Sequence, residues 1–176
     1  MDLQATLSER IGILDIHQII HSLQQTQEQM QPLFDLLFHD DDLTAYQAAW
    51  VCTHLDDEQL SPLLLRQKEL IDEAISCPHG GKRRLLLNLL LRQPLPDPPR
   101  VDFLDFCLSR MNSPQELPGV KSLCMKLAYE QCRHAPELMQ ELRMMLEMIE
   151  QDPLLPSMRC VIKQLYRAMK KNKSLR

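Results

Sequence analysis

The chain has 176 residues, 44% of them hydrophobic and 25% charged, with a net charge of −4. That suits one ordinary globular domain and excludes wholesale disorder. Only four residues are glycine and 5% are aromatic, which excludes the glycine patterns of a dinucleotide-binding fold or a phosphate-cradling loop and disfavours tight hairpins. β-branched residues are sparse beside Leu, Met, Gln and Glu, so the composition predicts an all-helical protein.

The opening string MDLQATLSER has no apolar core of a secretory signal. The most apolar run, Leu85 to Leu91, is broken by Asn88 and flanked by Arg83, Arg84 and Arg92, so it is too short to span a bilayer. Six cysteines are scattered with no C-x-x-C pair. They read as small hydrophobes in a reduced protein, and the expected location is cytoplasmic.

Taken in chain order, helical periodicity is punctuated by proline. Ile13, Ile16, Ile19, Ile20 and Leu23 form one apolar face, and Met30, Leu33, Phe34, Leu37 and Phe38 a second. Asp40, Asp41 and Asp42 make a turn and supply an N-cap for a helix over Leu43 to Leu55. Ser61-Pro62 predicts a start for a helix reaching Ser76. KRRLLLNLLLRQ follows, ending before the proline-rich stretch Pro94 to Pro99. Further helices are predicted over Val101 to Met111, Pro118 to His134, Pro136 to Glu150 and Pro156 to Met169. The tail KKNKSLR is predicted to fray.

About ten helices with short connections invite a test for a repeat. Arg83, Lys121 and Arg159 lie near the starts of alternate helices and are 38 and 38 residues apart, and Gln47 lies 36 before Arg83. The strings YQAAWV, KRRLLL, VKSLCM and MRCVIK each place a polar residue second, ahead of mostly small or apolar ones. This predicts about four helix pairs of about 38 residues with extra helices at the N-terminus. One such pair cannot bury its apolar face alone, but stacked pairs share a continuous core.

The period, the alternation of A- and B-helices and the basic residue opening the B-helix resemble the HEAT-like branch of the armadillo/HEAT superfamily, over about Met30 to Met169. DDDLTAYQAAWVCTHL is similar to the turn and B-helix of such a repeat. Asp41 or Asp42 matches the family's acidic turn, and Arg83, Lys121 and Arg159 match its basic position. Gln47 departs from it, and the turns before the later three carry no equally clear Asp. The resemblance implies an α-α superhelix, with residues 1–171 one repeat domain and 172–176 a basic tail.

Charge is segregated along the chain. Windows 82–93, 120–134 and 156–176 hold 14 of the 20 Lys and Arg and one acid, Glu130. They are the last three B-helices plus the tail. In folds of this kind B-helices line the concave side, so the resemblance implies an electropositive inner face. The candidate contacts are Arg83, Arg84, Arg92, Lys121, Lys126, Arg133, Arg159, Lys163 and Arg167. Arg84, Asn88, Arg92, Lys126, Arg133, Lys163 and Arg167 are its candidate exposed members. Against this stands a plainer reading, in which B-helix starts lock neighbouring repeats and basic helix ends offset the macrodipole.

Cys77-Pro78-His79 and Cys132-Arg133-His134 carry zinc-ligand types at a spacing unlike that of known zinc sites, so helix-end packing is preferred and no metal or cofactor is expected. Trp50 reads as a partly buried packing residue rather than a base-stacking platform. HEAT-like DNA glycosylases work in a basic groove with a catalytic acid among aromatics. This chain has one Trp and few other aromatics, and its basic windows hold one acid, Glu130. An all-helical lyase needs a longer chain and a flexible signature loop.

The leading expectation is a non-catalytic scaffold binding a protein partner with an acidic or helical segment. A nucleic-acid-binding or DNA-repair relative is the alternative, and a self-associating structural subunit a third. No membrane contact is expected.

Overall fold

The structure, a computed structural model, describes residues 2–23 and 30–176. Among them there are eleven α-helices and no strand: α1 (Leu3–Ser8), α2 (Ile13–Leu23), α3 (Met30–Asp35), α4 (Asp42–Thr53), α5 (Asp57–Leu60), α6 (Gln67–Ser76), α7 (Gly80–Leu91), α8 (Val101–Met111), α9 (Pro118–Cys132), α10 (Pro136–Glu150) and α11 (Pro156–Lys171). Short 3₁₀ segments, Leu36–Phe38 and Ser61–Arg66, follow α3 and α5. The chain divides into two compact units, 1–89 and 90–176.

In the first unit α4 packs on α1, α2 and α3. Its start follows from the acidic turn. Asp41 accepts from the backbone N–H of Thr44 at 2.8 Å and from its hydroxyl at 2.6 Å, satisfying a donor that the helix leaves unpaired. Those bonds, the hydroxyl first, hold the Asp41 carboxyl below its usual range.

The segment after α4 departs from expectation. Ser61 is not an N-cap but closes the C-terminus of the preceding turn, where its hydroxyl donates to the Glu58 carbonyl at 2.7 Å. The cap is Asp56, which forms a reciprocal box with Gln59. This starts the one-turn α5, and Pro62 then sits within the 3₁₀ segment. Two short helices, α1 and α5, stand outside the spans that the periodicity predicts.

In the second unit α9 is the central helix and packs on α8, α10 and α11. Pro118, Pro136 and Pro156 each occupy a first-turn position in the last three helices. Their missing N–H and fixed φ suit that place. α9 buries Val120, Cys124, Met125, Leu127, Ala128, Tyr129, Gln131 and Cys132, more than one stripe, because it has neighbours on several sides. α11 buries only Met158, Ile162, Leu165 and Ala168. At spacings of three and four these form a single face.

The expected fraying of the tail is also corrected. Asn172 takes a left-handed conformation with φ 44° and caps α11. The Lys173 N–H then bonds the Ala168 carbonyl at 3.1 Å. Residues 173–175 go on to hydrogen-bond with α9.

Candidate partner-binding face

The repeated position of the B-helices changes role along the chain. Gln47, 3% exposed on α4, holds the stretch after α1. Its Nε2 donates to the carbonyls of Leu7, at 2.7 Å, and Glu9. Its Oε1 accepts from the Ile11 N–H at 2.8 Å. Only a carboxamide offers two donors and an acceptor here; an Arg or Lys would leave the Ile11 N–H unpaired. That explains why glutamine stands where the family pattern has a base.

Arg83, on α7, is 7% exposed and donates to the Cys77 carbonyl at the end of α6. It fastens one helix end to the next and is not on an open face. Lys82 beside it is buried and paired with Glu73 at 2.6 Å. Arg84 is exposed.

The C-x-H step before α7 is likewise structural. His79 Nδ1 accepts from the Lys82 N–H at 3.0 Å, and its ring meets Tyr46 edge-on. A Cβ at Gly81 would lie 2.9 Å from the His79 ring, so the close approach of that ring needs glycine. Trp50 is half-buried and packs edge-on with His54.

In the second unit the cations fall into two sets. Arg100 pairs with Asp102, Arg110 with Glu116, and Arg133 with Glu130. Arg133, the C-cap of α9, is therefore committed to that helix's Glu130 and is not the exposed contact expected. Arg92 is half-buried and already engaged. Lys121 and Lys126 on α9 are half-buried, and Arg159, Lys163 and Arg167 on α11 are exposed. None of these five makes an ion pair with another described residue.

Arg159, Lys163 and Arg167 recur every four residues, opposite the buried stripe, and Lys170 and Lys171 extend the line. From Arg159 to Lys170 the row is about 16 Å long. α11 contains no acid. The macrodipole accounts for Lys170 and Lys171 in the last turn, but it works against Arg159 near the N-terminus. Helix stability therefore does not explain the row. Lys163 and Arg167 are exposed as the sequence predicts, and Arg159 joins them although it opens a B-helix. Arg83 takes the locking role that the plainer reading gives to B-helix starts, and the pairing of Arg133 has no signal in the sequence.

Nucleophilic side chains are placed unfavourably. Five of the six cysteines are buried and all are free. Burial pushes the Cys52 and Cys107 thiols up, and that of Cys132 to about 12, which suppresses the reactive thiolate. Tyr166 is raised to about 12 by burial and by its hydrogen bond to Glu150. Among the described residues no cluster of three metal-ligating side chains occurs. No described helix is long and apolar enough to cross a membrane.

A family model described as a HEAT repeat domain matches residues 3–169. No curated protein and no solved structure matches the chain.

Proposed function

Because the chain belongs to the HEAT repeat family, we propose that it is a non-catalytic adaptor whose last B-helix binds an acidic segment of a protein partner. The observation that carries this is the row Arg159, Lys163 and Arg167, exposed and without ion pairs among the described residues, on a helix that has no acid. Cations at four-residue spacing complement Glu or Asp at the same spacing on a partner helix. Lys121 and Lys126 of the adjoining α9 enlarge the positive potential. The buried thiols support the non-catalytic reading, and the free cysteines support a reduced, cytoplasmic location.

A protein partner is preferred to nucleic acid because the row is short and no aromatic side chain in α11 other than Tyr166, bonded to Glu150, stands beside it. Single-strand binding draws on base stacking, and duplex binding on a longer track of phosphates. The test is titration with a glutamate-rich helical peptide and, separately, with duplex DNA, at rising salt. Saturable peptide binding that exceeds DNA binding at about 0.15 M salt is the expected result. Tighter DNA binding with a steep log–log salt slope would replace this reading with the nucleic-acid one.

A further inference from the structure

Glu130, the one acid of the basic windows, does not pair with the α11 cations. Its side chain is only 5% exposed. One carboxylate oxygen receives Arg133 Nη1 at 3.1 Å. The Ser174 hydroxyl lies 3.0 and 3.2 Å from the two oxygens, and the Leu175 N–H donates to Oε1. One residue earlier on α9, the Tyr129 hydroxyl donates to the Lys173 carbonyl at 2.8 Å. Beside these contacts Arg176 lines a cavity of about 100 Å³ together with Pro94, Asp97, Gln131, Arg133 and His134. Two buried atoms in its lining residues, Gln131 Oε1 and Arg133 Nε, have no hydrogen-bond partner among the described residues.

We propose that this end of α9 is a peptide-binding site, held in cis by residues 173–176, for an extended partner segment of the pattern basic–Ser/Thr–apolar. A nearly buried carboxylate is costly unless its lone pairs are filled. Arg133 fills one. The others call for an O–H and an N–H side by side, which a Ser or Thr supplies with its own hydroxyl and the next residue's amide. Tyr129 adds a donor for the carbonyl one residue before. Three consecutive groups are thereby read: a carbonyl, a hydroxyl and an amide. None is peculiar to this chain, so a partner segment carrying the same groups can take their place. Basic flanks such as Lys173 complement the carboxylate. The orphaned acceptor of Gln131 and donor of Arg133 offer the cavity side further polar partners. Tethering gives the tail an effective concentration of order millimolar, so the site stays closed until the tail is displaced. The proposal is independent of the α11 row.

The test uses the full chain and the synthetic peptide KKNKSLR, with KKNKALR as control, read by amide chemical shifts. Two variants open the latch by different means. Ser174→Asp sets a second carboxylate against Glu130, and Leu175→Pro removes the amide donor. Each is expected to bind KKNKSLR at least about tenfold tighter than the wild type does, with shifts at Glu130 and Arg133 and at least about tenfold weaker binding of KKNKALR. In the wild type the Leu175 amide is expected to be protected from exchange. Equal affinity for the two peptides, no binding by either variant, or an unprotected Leu175 amide would each overturn the proposal.

Discussion

Replacing Gln47 by leucine is expected to lower the unfolding free energy by about 2–4 kcal/mol, although the shape and burial are nearly conserved. The side chain fills its site in either case. What the change removes is the acceptor of the Ile11 N–H and a donor to two carbonyls, at Leu7 and Glu9. The bond to Leu7 is buried and those of Ile11 and Glu9 are half-buried; a buried polar group left unpaired costs about 1–3 kcal/mol and a half-buried one less. Gln47→Arg is expected to recover part of the loss, because it donates to the carbonyls but cannot accept from Ile11. Urea unfolding of the three proteins checks this. A Gln47→Leu protein within about 0.5 kcal/mol of the wild type would show that the bonds are exchanged for water at no cost.

The neighbouring arginines of α7 are expected to behave oppositely. Arg83→Ala should cost about 2–4 kcal/mol, since a buried guanidinium joined to the Cys77 carbonyl is lost along with its packing. Arg84→Ala, one residue on and exposed, should change stability by no more than about 0.5 kcal/mol. The pair separates a side chain that fastens α6 to α7 from one that faces solvent. Thermal and urea unfolding measure both. Equal losses at the two positions would contradict the assignment of Arg83 to the lock.

Much of this architecture is legible in the residues. α8 and α10 run over the predicted spans, Val101–Met111 and Pro136–Glu150, because α8 has a plain breaker at Asn112 and α10 a proline at its start. The 38-residue period is equally plain, since α4, α7, α9 and α11 begin at Asp42, Gly80, Pro118 and Pro156, each 38 residues after the one before. The family match over residues 3–169 agrees with that reading.

What escaped depended on contacts distant in sequence. Nothing around Gln47 shows that the chain from Leu7 to Ile11 passes over it. Nothing in KKNKSLR shows that Glu130, 44 residues earlier, receives Ser174. α5 is one turn long, and its signal is a single box of two residues, too brief to register against the stronger Ser-Pro step that follows it. Charge counts found the basic windows, but they could not divide Arg133, paired with Glu130 at the end of α9, from Lys163, exposed on α11. Pairing is set by geometry and not by sign.

The proposed role of the α11 row is to bind an acidic protein segment. Its most direct test is the affinity of a glutamate-rich helical peptide for the wild type and for the triple variant Arg159→Glu, Lys163→Glu, Arg167→Glu, with equal stability of the two proteins verified by unfolding. All three side chains are exposed, so the fold should tolerate the change. Loss of three attractive contacts and gain of three repulsive ones should weaken binding about a hundredfold or more at about 0.15 M salt. Affinity unchanged within about twofold would place the partner elsewhere on the molecule and contradict the account.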